Sequence, residues 1–292
     1  MRRAGAGRAG LLAAAGLLPF AAVVVLFLLI PTVVVVVGAL SDDGRPSLSG
    51  LTAFGDPTVL RAFARSTWLS ASTAAIGAVV GALVAYAVAT GAPDGVLRRV
   101  VTSACGVLAQ FGGVTLAFAF IATLGVSGVV TLWLRDALGV DVFANGVWLF
   151  DMPGLVLVYT FFQVPLMVIV FLPALDGVRP QWREATVTLG GSTWQYWRHV
   201  GGPLLAPAFG GSALLLFANA MSAYATAAAL VSQGAPIVPL QIRAALTSEV
   251  LLGRADLGQT LALGMVVVVV AVMVAQALLQ RRTSRWVAGS AR

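Results

Sequence analysis

Apolar residues along this chain come in long uninterrupted runs rather than in alternation. Six stretches hold no Asp, Glu, Lys or Arg: 9–41, 66–93, 100–134, 152–175, 199–242 and 257–280. The shortest have 24 residues. As a helix that length reaches about 36 Å, enough to cross a hydrocarbon core of about 30 Å. The runs predict spans near 11–40, 66–90, 100–126, 153–175, 203–230 and 257–280. The expected fold class is therefore an all-α membrane protein, one domain over 1–292, with six transmembrane helices. The 199–242 run is long enough for two helices, but Gly234, Pro236 and Pro239 break its second half, leaving one span and a loop. Pro31 predicts a kink in the first span, and Pro165 and Pro173 are further points where a helix could break. The first apolar run is far longer than the 7–15-residue core of a signal peptide and lacks a clear cleavage site, so it reads as a retained span.

Composition narrows the chemistry. The chain is 59% hydrophobic and 10% charged, against about 25% charged residues in soluble domains, which excludes a soluble enzyme. All eighteen basic residues are Arg. Without Lys there is no phosphate-binding P-loop and no lysine nucleophile. The single Cys105 cannot form an internal disulfide or a thiolate metal cage, and the single His199 cannot build a multi-His zinc site. No catalytic residue, metal ligand or cofactor is assigned to this chain.

Charge sets the expected orientation. With the N-terminus inside, the inner segments hold twelve Arg and three acidic residues, whereas the outer loops hold six Arg and eight acidic residues. The split of +9 against −2 follows the positive-inside rule, so both termini are expected to be cytoplasmic. The basic balance is thus a topology signal and calls for no nucleic acid. Within the spans the polar groups are neutral. Gln110, Gln163 and Asn219 are candidates either for helix-packing hydrogen bonds or for lining a pathway. Gly77 and Gly81 form a Gly-xxx-Gly pair, which predicts a close helix contact.

Charges and aromatics concentrate in one inner segment, 176–203, between the fourth and fifth spans. Pro180 suits the first turn of a helix, with Glu184 near its N-terminus. The helix can run to Leu189 and end at Gly190-Gly191. Ser192 or Thr193 can then cap a short helix bearing Trp194, Tyr196 and Trp197. One reading is an interfacial loop with Trp anchors; the other is a docking element for a cytoplasmic partner. Here the chain resembles the inner-membrane permease subunits of binding-protein-dependent ATP-binding-cassette importers. These carry a cytoplasmic Glu-Ala-Ala loop, with Gly six residues after the Glu and Ile-x-Leu-Pro beginning sixteen after it. Glu184, Ala185 and Thr186 fill the first positions; Gly190, Val200 and Pro203 fall six, sixteen and nineteen residues after Glu184. Thr186 replaces the second Ala, Val200 the Ile, and Gly202 the Leu, the last expected to loosen entry to the fifth span.

The resemblance implies a channel-forming importer subunit, with a methionine-importer-like permease fold and a coupling helix between spans 4 and 5. It implies that Arg183, Glu184, Ala185, Thr186, Leu189, Gly190, Val200 and Pro203 form the ATPase-coupling loop. Implied partners are two ATPase subunits that carry the ATP and Mg, a second permease subunit and an extracytoplasmic solute-binding protein, in a bacterial inner membrane. The short frame and the 232–256 outer loop look more like polyamine, phosphonate, thiamine or ferric-iron permeases than sugar permeases. Two rivals are a secondary carrier, for which no internal repeat is visible, and a rhomboid-type intramembrane serine protease. Gly125-Val126-Ser127-Gly128 fits the protease motif. However, its Ser127 is expected a membrane thickness away from His199, and catalysis needs them in hydrogen-bond reach.

Overall fold

The computed structural model describes residues 16–42, 45–47, 52, 54–92, 94–144, 146–231, 237–247 and 255–289. The basic N-terminal segment and residues 232–236 and 248–254 of the 232–256 loop lie outside them. Helices dominate, with one two-residue antiparallel ladder, β1 (Ser41–Asp42) and β2 (Arg45–Pro46). The helices are α1 (Gly16–Ala39), α2 (Pro57–Ala89), α3 (Val96–Leu108), α4 (Gly113–Leu124), α5 (Val129–Leu138), α6 (Met152–Asp176), α7 (Pro180–Thr188), α8 (Thr193–Ser222), α9 (Ala225–Leu230), α10 (Val238–Thr247) and α11 (Ala255–Gly289). Six windows are long and apolar enough to cross a membrane: α1, α2, Gly113–Leu138, α6, α8 and Leu257–Leu279.

The chain divides into two compact units, residues 1–60 with 241–264 and residues 61–240 with 265–292. In the first, α1 packs on the start of α11 at Gly38, where a Cβ would meet the Gln259 side chain at 2.1 Å. Pro31 does not break α1. Instead a π turn, Val25–Leu29, precedes it, and Ile30 N–H reaches Val25 O, five residues back. A proline leaves the carbonyl four residues before it without a donor, and a π turn shifts the hydrogen-bond register to absorb that gap.

In the second unit α6 is the axis. It is apolar all round, as a fully packed helix must be, and over half of it is buried. Its C-terminal half (Met167, Val168, Phe171, Leu172, Leu175) packs with Ala74, Ala78, Ala85 and Val88 of α2, Cys105 of α3, and Leu205 and Leu216 of α8. Its N-terminal half (Leu155, Val158, Tyr159, Phe162) packs with Leu69 of α2, Leu116 and Ala117 of α4, Ala220 of α8, and Ala227 and Leu230 of α9. Pro165 and Pro173 sit inside α6 without ending it, since surrounding helices hold the freed backbone groups.

The breaks fall elsewhere. The expected third span, 100–126, is two helices, α3 and α4, separated at Ala109–Gly112. The expected fifth span, 203–230, begins earlier, at Thr193, and is divided at Ala223–Tyr224. Both breaks lie alongside the middle of α6, and they meet: Gly113 N–H, at φ +70°, donates to Thr226 Oγ1 at 3.0 Å. The Tyr159 hydroxyl donates to the half-buried carbonyl of Ala223. The segment after the fifth span, read above as loop, contains α10.

Candidate functional site: the loop between the fourth and fifth spans

At the far end of α6, Asp176 ends the helix and Val178 and Arg179 lead into α7. Pro180 takes the first helical position, where its missing N–H costs nothing. The other end of α7 closes as a Schellman motif: Gly190 N–H donates to Val187 O at 2.9 Å, and Gly191 N–H to Thr186 O at 2.8 Å. Gly190 sits at φ +76°, a conformation open to glycine and strained for other residues. Gly191 is required for a different reason: a Cβ there would lie 2.7 Å from Thr186 Cγ2. Thr186, which replaces the small Ala of the importer pattern, packs its methyl under that turn and donates its hydroxyl to Trp182 O at 2.9 Å.

Ser192 then caps α8 with a full capping box, accepting from Gln195 N–H at 3.3 Å while Gln195 Oε1 accepts from Ser192 N–H at 2.7 Å. From there α8 runs on into the membrane-spanning helix. A second π turn, Trp197–Gly201, holds Val200 half-buried and precedes Pro203 as the first π turn precedes Pro31. Gly202 does not loosen this entry, contrary to expectation. Its N–H donates to Trp197 O, and a Cβ at 202 would stand 2.5 Å from that oxygen, so the π turn needs glycine there.

The loop presents two chemistries. Val187, Leu189 and Trp194 are 63%, 87% and 71% exposed, large apolar side chains on one loop of the kind that meets a protein partner or a membrane surface. Arg183, Glu184 and Ala185 are also exposed. Among the described residues the Glu184 carboxylate makes no ion pair, with Arg183 and Arg198 included. The loop is anchored from behind by Asp176, whose carboxylate accepts a 2.5 Å hydrogen bond from Arg98 of α3. That bond raises the Arg98 pKa. Val187 and Arg98 were not among the loop residues read from the sequence, where Trp194 was named as an anchor or docking residue; the charge split pointed to Arg98 only as an inner-side cation.

The neutral polar candidates separate. Gln163 is fully buried, its Nε2 donating to Thr73 Oγ1 at 3.3 Å across to α2, which makes it a helix-packing group. Gln110 lies exposed in the Ala109–Gly112 break, and Asn219 is half-buried one turn before the Ala223–Tyr224 break. Ser127 sits in the turn between α4 and α5, next to the segment that packs on the start of α6. His199 sits in the second π turn, beside Tyr196 and Trp197 at the other end of α6, its Nδ1 against Gln195 O. The whole of α6, 25 residues or about 37 Å, separates them, so no serine–histidine pair forms.

No protein-family profile and no curated protein sequence matches the chain. Its fold does match solved structures. One is a bacterial ABC transporter involved in the import of the acidic polysaccharide alginate, with a TM-score of 0.72 at 18% identity over 98% of this chain and 99% of that one. A bacterial alginate ABC transporter in complex with an alginate pentasaccharide-bound periplasmic protein gives 0.75 at 19% identity, over 97% and 98%. The MetNI methionine ABC transporter in inward-facing conformations gives 0.50 at 15% identity, over 78% of this chain and 99% of that one. The chain shares the fold of these transporter structures, and the likeness covers 98% of it against the alginate transporter and 78% against the methionine transporter.

Proposed function

We propose that this chain is the channel-forming subunit of an ATP-driven importer in a bacterial inner membrane. It passes a solute delivered by an external binding protein, pairs with a second permease subunit, and takes its energy from two ATPase subunits docked on 176–203. The observation that carries the reading is the loop itself. A short helix is closed by a left-handed glycine, shows exposed apolar side chains and a carboxylate with no ion pair among the described residues, and is joined through a capping box to a membrane-spanning helix. Movement of a docked ATPase would pass through α8 to the core around α6. ATP and Mg belong to the partner, because the chain has no Lys for a P-loop. The paired breaks of the third and fifth spans, flanked by Gln110 and Asn219, supply non-helical backbone at membrane depth, which is tolerated where it is buried or lines a cavity. They form the proposed pathway.

The test is co-purification. Glu184→Ala removes a group with no ion pair among the described residues, so folding is expected to be unchanged. Docked on a basic ATPase surface the same carboxylate is desolvated, and its loss costs about 2–5 kcal/mol of binding. Gly190→Ala strains the turn by about 1–2 kcal/mol. Both variants are expected to insert normally and to lose ATPase binding and transport. Parent-like binding and transport by both would refute the coupling reading. Broken helices also occur in secondary carriers; solute uptake by the purified chain alone, without ATPase or ATP, would favour that reading.

A further inference from the structure

An apolar trough of about 510 Å³ runs between α2, α6 and α8, lined by Val79, Leu83, Phe171, Ala206 and Phe209 among others. At the loop end it meets a second cavity of about 390 Å³ of different character, lined by Thr90, Arg179, Arg183, Glu184 and Tyr196. Tyr86, Leu175, Trp197 and Leu205 line both, so the two adjoin. The join is a T-shaped aromatic pair, Tyr86 against Trp197, with ring centroids 5.4 Å apart. This join lies one turn before the end of α2 and one residue before the end of α6, at the level where spanning helices leave the hydrocarbon. Aromatic side chains favour that level.

We infer that this adjoining trough and cup bind an anionic phospholipid, an acyl chain in the trough and the phosphate headgroup against Arg179 and Arg183. The trough offers almost no polar surface and is open along the helices through the exposed side chains of Val79 and Leu83, so a chain can enter it from the bilayer. The cup holds two guanidinium groups against the single Glu184 carboxylate, a net positive site at the membrane boundary. Guanidinium groups bind phosphate oxygens in pairs of hydrogen bonds, and basic pockets between spanning helices take anionic headgroups. A helix of another membrane protein would fill the trough but would bring no anion to the cup. Only an amphiphile with its negative group at one end meets both halves. The headgroup would meet Arg183 and Glu184 on α7, residues that the proposed coupling loop also uses, so bound lipid would adjoin the docking surface rather than lie apart from it.

The experiment is lipid retention by the full chain, purified in mild detergent and titrated with phosphatidylglycerol or with phosphatidylcholine of the same acyl composition, read by native mass spectrometry. The parent is expected to retain phosphatidylglycerol about fivefold or more over phosphatidylcholine, from one net charge at the surface. Arg179→Gln with Arg183→Gln is expected to abolish that preference, and Ala206→Trp, which fills the trough, to reduce retention of both lipids. Equal retention of the two lipids by the parent overturns the proposal, as does an unchanged preference in the double Arg variant. Phosphatidylglycerol held no more tightly than inorganic phosphate would also overturn it, since the trough would then contribute nothing. If the double variant fails to fold, the parent's selectivity and the Ala206→Trp variant still decide. No ATPase enters this experiment, so its failure leaves the coupling assignment standing.

Discussion

Two glycines of the second span illustrate how little room a membrane interior leaves. Packing between spanning helices depends on small residues that let backbones approach. A Cβ at Gly77 would sit 2.7 Å from Gln163 Cβ, and one at Gly81 would sit 2.5 Å from Met167 Cβ and 2.7 Å from Val164 O. Both partners lie on α6, so the Gly-xxx-Gly pair read from the sequence is the seam between α2 and the axial helix. Gly81→Val is expected to destabilise the protein by about 1–3 kcal/mol through overpacking, lowering its thermal unfolding temperature. A valine at Gly106, which has open space around it, is the control and should change stability far less. The same residue-level view reassigns Gln163, whose hydrogen bond to Thr73 places it in that seam.

At the scale of elements, the loop is held at both ends by different means. Backbone devices fix α7 internally: proline at its start, the Schellman closure, and the capping box that follows. The Arg98–Asp176 pair ties the first turn of α3 to the last residue of α6, where the chain enters the loop. An exposed pair adds little to stability, so its expected role is to set the loop's position. Arg98→Asp should leave expression and unfolding temperature near those of the parent but lower ATP-driven uptake in the assembled transporter. The charge-swapped double variant, Arg98→Asp with Asp176→Arg, should restore most of it. If the single variant transported normally, or the double variant recovered nothing, the pair would be incidental to the loop's position.

For the whole molecule, the expected arrangement has the 176–203 loop inside and Ser127 outside, at opposite ends of α6. In a Cys105→Ala background, a Cys replacing Ser192 should react with a membrane-impermeant reagent only from the cytoplasmic side, and a Cys replacing Ser127 only from outside. The reverse pattern would overturn both the orientation and the coupling loop. Much of this was legible in the amino-acid order alone. Charge-free runs longer than the bilayer is thick admit one structural solution, the helix, so six spans and an all-α fold follow directly. The loop was equally legible, because Pro180, Gly190, Gly191 and Ser192 act through their own backbone conformation and near neighbours, which need no tertiary partner. Where the spans break was not legible. Pro165 and Pro173 carried the strongest local signal, yet α6 runs through both because other helices surround it. The chain parts at Ala109–Gly112 and Ala223–Tyr224, where Thr226 and Tyr159 supply the hydrogen bonds that the helices give up. Those donors and acceptors come from residues tens of positions away. The trough and its basic cup have the same origin, since α2, α6, α7 and α8 form them only once packed. Local sequence sets which segments are helical, and tertiary contacts decide which backbone groups are free to stop being so.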